Sequence, residues 1–522
     1  MSAALCATLL QAGPAAGATV DPAGFGARPG GDPAANSRAI QAAIDAAAKG
    51  GTVALGQPGV YDLAAQGPNP YQAGHRYCLD LRADGLTFRI GPEVTLRLAD
   101  GQQADDTGPV DVLVWRARRG LKITGGGTIA GNTAGQNGWK GGYSQVTNGI
   151  LVAGYGAEDA HNEGIRIEGL VLLDHFSNAI YLGGHPGNRD RDIRIADVRA
   201  RDTGEGLLVM NADDVTLSGN MYENARVTGH RGDGIELWNV AGFRLLRTAV
   251  RGWLGGSAID LYGARDGVVD GFSVEGGTAG VGIAENSALA VYAERLQVKN
   301  GSVMLAGPGT GVYTKGARVR HVTFTSVSVQ GGSRPETIGF QISMDNVQGR
   351  ASDDWRQQGP VTLEDCKAYG NDVGLLIKTV AAVTVSGGDF SANAASPVSD
   401  GIRWIGQENA YRHADTRDLV LRGVRTVGNR RYGIHIDGQR LVGREPRGSI
   451  SGCSTLGGPA AVHVTAVASP DIARDLVFDA SCAPDTAAPK TVASPAVPTA
   501  APRLAPSPSP RVPPSPSPRV GR

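Results

Sequence analysis

The sequence predicts an all-β protein, a single-stranded right-handed parallel β-helix (a solenoid) with an N-terminal capping helix and a disordered Pro-rich C-terminal tail. Three observations carry that expectation. Of 522 residues, 76 are Gly and 29 Pro while only 9 are Phe, so a large core must be built from aliphatic side chains between frequent turns. From residue 165 onward one phrase returns: alternating apolar residues that close on a small residue followed by apolar-x-apolar, as in "GIELW", "AIDLY", "GVYTK", "GFQIS", "GLLIK", "GIRWI" and "GIHID". Roughly eleven such endings recur at spacings of about 22 to 35 residues, and a period of that size denotes a stacked array.

Period-two alternation and frequent Gly or Asn exclude helical repeats. Propeller blades need about 40 residues each and antiparallel hairpins, which the sequence does not show. Short strands separated by turns, one coil every two dozen residues, remain. In each ending the second and fourth residues are expected inside the coil: Ile235 and Leu237, Ile259 and Leu261, Val312 and Thr314.

The elements follow in order. The opening "MSAALCATLLQAGPAAGATV" has an apolar stretch from Ala3 to Leu10 and an Ala16-Gly17-Ala18 triplet suited to signal peptidase, without a positive leading region. Residues 1–18 therefore read as a secretory signal, and the location as secreted, periplasmic or extracellular. A β-helix leaves an open core at each end, and "NSRAIQAAIDAAAKGG" suits the duty of covering one. Ile40, Ala43, Ile44 and Ala47 share one helical face, with Asn36 or Ser37 as the start and Gly50-Gly51 as the stop. Coils are expected over 19–482. From 483 to 522 the chain turns to "APSPSPRVPPSPSPRV", which has nothing to build a core from.

Charge and cysteine narrow the partners. Lys+Arg and Asp+Glu both number 50, and basic residues do not cluster with aromatics, so nucleic acid is not expected as a partner. No apolar run approaches the ~20 residues of a membrane span. A monomer is expected. If Cys6 leaves with the leader, then Cys78, Cys366, Cys453 and Cys482 remain, an even number compatible with disulfides. Cys453 and Cys482 can staple the C-terminal end or stay as buried thiols. No CxxC or HExxH spacing announces zinc, and no cofactor is expected. Turn segments "NADDV" and "ARDGVVDG" carry calcium-type oxygen ligands, although ordinary turn chemistry explains them as well.

The run "FGARPGGDPAANSRAIQAAIDAAAKGGTVALGQPGVY" followed by coils, over about residues 21 to 480, resembles the pectate-lyase-like superfamily of right-handed β-helix proteins. That resemblance implies the fold, and it allows polysaccharide hydrolases, lyases, epimerases and phage tailspikes.

The segment "HRGDGIELWNV" (230–240) gathers the densest set of reactive side chains. With Ile235 and Leu237 inside, Glu236 and Trp238 face out, and one coil on Asp260 and Tyr262 take the equivalent places. In-register coils lie about 4.7 to 4.9 Å apart, so Glu236 should stack beside Asp260 and Trp238 beside Tyr262. Glycoside hydrolysis needs two such carboxyl groups, and stacked acids raise one another's pKa and so retain a proton. Asp233, in the turn before the strand, offers a wider separation from Asp260, nearer the roughly 6.5 to 9.5 Å of inverting chemistry. Glu205 holds the place of Asp233 in the preceding coil and extends the acidic strip.

Polygalacturonase-type glycoside hydrolases carry "NTDG", "DD", "GHG" and "RIK" motifs in successive coils. Here "RGDGI" resembles the first, so Asp233 matches its Asp. Gly256-Ser257 stand where the Asp pair belongs, "GTAGVGIAEN" lacks the histidine, and "GVYTKG" keeps Lys315 but has Tyr313 in place of the Arg.

The most concrete expectation is a secreted enzyme acting on a polysaccharide, uronate-containing, by carboxylate-assisted hydrolysis, with Asp233, Glu236, Asp260 and His230 catalytic. Glu205, Arg231, Trp238, Trp253, Tyr262, Tyr313 and Lys315 are expected to bind substrate. A lyase or C5-epimerase would instead use His230, Tyr262 or Tyr313 as base or acid, with Arg231 or Lys315 neutralising the substrate carboxylate. A non-catalytic carbohydrate-binding or adhesin β-helix explains the same residues as its solvated outer face. Lys378, His435 and Asp437, on the same outer line in later coils, read as surface residues.

Overall fold

The computed structural model describes residues 17–47, 49–104, 107–136, 149–224, 232–253, 255–286, 289–316, 318–343, 359–378, 382–405, 418–437, 448–454, 462–465, 476–482 and 484–485. The expected leader lies outside these residues except for 17–18, and the tail from 483 except for 484–485. His230 and Arg231 also lie outside them.

The chain winds as a parallel β-helix. Strands Val171–Gly183, Arg199–Met210, Ile235–Trp238, Ser257–Tyr262, Ser273–Ala284, Ala293–Lys315, Thr337–Ser343, Val373–Lys378, Asp400–Ile405 and Tyr432–Asp437 follow one another on one face, each paired in parallel with the next. One short pair, Gly67–Pro68 with Arg76–Asp80, runs antiparallel. The interior follows from register. Leu207, Ile235, Ile259, Val281, Val312, Phe340, Leu375, Ile402 and Ile434 are successive partners, and all are buried. Truncating one of them, Ile259→Ala for instance, should cost about 2–5 kcal/mol through lost burial and the cavity left behind.

Corners hold the coils in step. Asn211 and Asn239 adopt left-handed backbone (φ 51° and 53°), which short amide side chains tolerate, and the Asn239 Nδ2 donates to Asn211 Oδ1 at 2.8 Å. Asn371, Asn393 and Asn429 form a second amide ladder farther along, without left-handed backbone: Asn371 Nδ2 donates to Asn393 Oδ1 and Asn393 Nδ2 to Asn429 Oδ1.

The helix begins earlier than the sequence reading placed it. It spans Pro33–Ala46, with Asp32 as cap (Oδ1 accepts from Ala35 N at 2.8 Å) and Pro33 in the first turn, where a missing N–H costs nothing. Asn36 and Ser37 are buried inside it instead. Ser37 Oγ donates to Ala64 O at 2.9 Å and accepts from Ala64 N at 3.0 Å, which ties the helix to the first coils. Ile40, Ala43, Ile44 and Ala47 form the expected buried face. At the other end Cys453 and Cys482 are disulfide-bonded, while Cys78 and Cys366 are buried thiols. Among the described residues no helix is long and apolar enough to cross a membrane.

Candidate functional site

Register delivers the first part of the site. Glu236 pairs with Asp260 and Trp238 with Tyr262, as period-two reading requires. Asp233 joins them from the turn, and carboxylate oxygens of Asp233, Glu236 and Asp260 all lie within 4.8 Å of one another. The wider gap expected between Asp233 and Asp260 is not found. Ser257 N donates to Asp233 Oδ1 at 2.5 Å and draws it in. Gly256 leaves it room: a Cβ there would collide with Asp233 Oδ1 and stand 3.0 Å from its Cγ.

Three carboxylates so close cannot all be ionised. At an effective dielectric of about 20, each charged pair at this distance costs ~3 kcal/mol. Burial pushes Asp233 up to about 7, against the opposing Ser257 N–H. Asp260 is driven well above the carboxylate range, by burial first and then by Asp233 and Glu236, with Lys315 offsetting part of the rise. Among the described residues Asp260 Oδ1 is buried without a hydrogen-bond partner, although the residue keeps partial exposure. The cluster therefore holds at least one proton at neutral pH.

Tyr313 enters across a gap. In the outward column, Asp260 is followed by Gly282 and then Tyr313. A Cβ on Gly282 would clash with Tyr313 Oη and lie 2.9 Å from Asp260 Oδ1, so the glycine is what lets the phenol lean back over a whole coil. Tyr313 Oη shares a 2.8 Å hydrogen bond with Ser257 Oγ. Burial, then the negative charge of Asp260, pushes the phenol pKa up, which keeps it protonated as a donor. Lys315 Nζ lies 4.3 Å from the centre of the Tyr313 ring. Asp233, Ser257, Asp260, Tyr313 and Lys315 line an open cleft of ≈ 440 Å³, together with Thr278 and Pro308–Thr310.

Of the residues expected to act, Asp233, Glu236, Asp260, Tyr313 and Lys315 come together. Others are corrected. Glu205 does stand one coil before Asp233, but it is fully buried and lies outside the cleft. Trp253 is core, packed at 1% exposure with the interior aliphatics, because its strand-end position turns inward. Trp238 and Tyr262 meet edge to face (centroids 5.3 Å apart at 85°), leaving Tyr262 buried and Trp238 packed on an apolar patch with Tyr181 and Leu208, so neither offers an open sugar platform. His435, expected on the surface, is buried at 5% exposure. Gly256 and Ser257 entered the sequence reading only as standing where an Asp pair belongs, and Gly282 was not singled out. Gly282 had a signal, since it breaks the x position of an ending where the two preceding coils carry acids.

Three of the four turn carboxylates considered for calcium are occupied by cations or amides. Asp213 pairs with Arg189 (2.9 Å), Asp266 with Arg295 (2.5 Å), and Asp270 accepts from Asn300 Nδ2 (2.8 Å). Among the described residues, the set able to hold a divalent cation is Asp233, Glu236 and Asp260, whose oxygens lie within 4.8 Å of one another, so a small inward shift brings all three to about 2.4 Å from one ion.

No protein-family model matches the chain, and neither does any curated relative. Solved structures resemble it in outline. The A-module of an Azotobacter vinelandii mannuronan C-5 epimerase aligns over 88% of this chain and 99% of its own, at 16% identity and TM-score 0.46. The catalytic unit of a Streptomyces thermodiastaticus α-1,3-glucanase of family GH87 covers 87% and 71%, at 15% identity and TM-score 0.48. A family 28 exopolygalacturonase of Yersinia enterocolitica covers 86% and 78%, at 14% identity and TM-score 0.45. Likenesses this distant assign no activity to this chain.

Proposed function

We propose that the protein is a carbohydrate-active hydrolase that cleaves a glycosidic bond of a polysaccharide in the cleft between Asp233 and Lys315. The observation that carries this reading is a pair of carboxylates, Asp233 and Asp260, lining an open cleft, with oxygens of these two and of the buried Glu236 all within 4.8 Å of one another. Asp260, the more strongly protonated, donates its proton to the glycosidic oxygen as the bond to the anomeric carbon breaks. Asp233 or Glu236, ionised, completes the reaction as base toward water or as nucleophile. Tyr313 and Lys315 donate hydrogen bonds to sugar oxygens from the facing coils. Reducing-end release from a panel of polysaccharides tests this, with Asp260→Asn as the control: turnover by wild type that survives in Asp260→Asn would overturn it.

The convergence of three oxygens on one point favours a second reading, β-elimination assisted by a divalent cation. Products absorbing at about 235 nm, formed only with added cation and abolished by chelator, would distinguish it from hydrolysis.

A further inference from the structure

Six coils beyond the acidic cleft, the same face carries the opposite charge. Asp400 stands in the register column of Asp233, reached one coil at a time through Ser257, Ala279, Thr310, Ile338 and Val373. Unlike Asp233, it is surrounded by cations. Arg403 Nε lies 2.6 Å from Asp400 Oδ2, Arg431 Nε lies 2.8 Å from Oδ1, and Arg431 Nη2 also reaches the carboxylate. The same Nη2 donates to His435 Nδ1 at 2.9 Å. Asp400 is wholly buried, whereas the Arg403 and Arg431 side chains keep 20% and 28% of their surface.

One arginine would neutralise Asp400. The second is balanced only at a distance, by Asp372, which acts on Arg431 without pairing with it and is held instead by Ser396 and Ser399, so the solvent-facing edges of the two guanidiniums stay available to an anion. Each guanidinium has its Nη1 unengaged among the described residues, and neither atom is buried. Arg431 lies over the Tyr432 ring at 5.1 Å, and Tyr432 stacks flat on His463 at 4.1 Å, so the forks are braced from the side as well as from below. In the outward columns, Arg403 lies three coils beyond Tyr313 and five beyond Asp260, about 24 Å along the axis at roughly 4.8 Å per coil.

We propose that Arg403 and Arg431 form an anion-binding subsite for the carboxylate of an acidic sugar, in a glycan lying along the coils from the cleft. The substrate class is then a carboxylate-bearing (uronate) polysaccharide, an inference that rests on reading the cleft as a polysaccharide site. Planar guanidinium forks match a carboxylate in a way that a lysine would not.

Calorimetric titration of the full chain with galacturonan, mannuronan, a sulfated glycan and fully methyl-esterified galacturonan tests it. Wild type should bind at least one of the carboxylated polymers about tenfold or more tightly than the uncharged ester and more tightly than the sulfated glycan. Arg403→Gln should lose about tenfold on the carboxylated polymer and nothing on the ester, with its melting temperature kept because Arg431 still pairs Asp400. Should Arg403→Gln fold poorly, Arg403→Lys keeps the charge without the fork and should lose severalfold. Equal binding of acid and ester, preference for the sulfated glycan, no binding to either carboxylated polymer, or an arginine variant that binds like wild type would each overturn the subsite. Turnover of a polysaccharide alongside any of those results would leave the cleft reading standing. Acid-specific binding lost in Arg403→Gln, with no polymer turned over, would sink the cleft reading and leave the subsite.

Discussion

Asp233 and Asp400 occupy the same register column of the same sheet, and their surroundings are opposed. Asp233 sits among two further carboxylates and is pushed up to about 7 by burial; Asp400 sits between two arginines, whose hydrogen bonds and charge hold it at about 2 despite its burial. A repeated backbone position thus sets where a side chain points, while its neighbours one coil away set its charge. Within one solenoid face, one column thus holds a buried acid that keeps its proton and a buried acid that two arginines keep ionised.

The largest expected effect breaks the acidic half. Asp260→Asn should lower turnover at least ~10³-fold, because the amide cannot protonate a leaving group. Reducing-end assays under saturating polymer measure it, and a loss below tenfold would remove Asp260 from the chemistry.

The next effect separates the two regions by pH. A raised carboxyl is stabilising when protonated, so the Asp233 contribution is fully present below about pH 4 and is lost as pH rises to about 7, a change of about 4 kcal/mol at most. Asp233→Asn should therefore match wild type near pH 4 and be the more stable of the two at pH 8, as read by urea unfolding. Asp400 has the opposite sign. Its depressed pKa contributes ~2 kcal/mol above about pH 4 that disappears as pH falls through 2, so Asp400→Asn should be the less stable protein at pH 6 and approach wild type in acid. Parallel pH profiles for the two variants would erase the contrast.

Gly282→Ala probes the gap that admits Tyr313. The added methyl must displace the phenol from Ser257 or crowd Asp260, so turnover should fall about 10- to 100-fold with the fold retained. Tyr313→Phe, which removes only the hydroxyl, should cost less, about tenfold, mostly in k_cat. A Gly282→Ala enzyme of full activity would show that the phenol does not need its present position.

Much of the fold and half of the site were legible in the sequence, for a physical reason. Coils stack in register, so the local alternation around Ile235 and Ile259 already decides that Glu236 lies on Asp260 and Trp238 on Tyr262. What alternation cannot carry is what lies above the strand. Glu205 and Trp253 are buried by the path of the chain around them, and Trp238 and Tyr262 cover one another. The reach of Tyr313 depends on a missing side chain in an intermediate coil, and the Asp400 cluster joins Arg403 and Arg431 from successive coils. The helix start was missed because Ser37 looks like a cap but binds the first coils, while Asp32-Pro33 supplies the actual turn.

At neutral pH the cleft carboxylates hold a proton. Carbon-13 NMR titration of Asp and Glu carboxyl groups measures it without any substrate. In wild type at least one carboxyl should titrate near pH 7, and in Asp260→Asn the Asp233 transition should stay raised, because burial lifts it and Asp260 is protonated, hence uncharged, where Asp233 titrates. Titration of every carboxyl below about pH 5 in wild type would contradict the account.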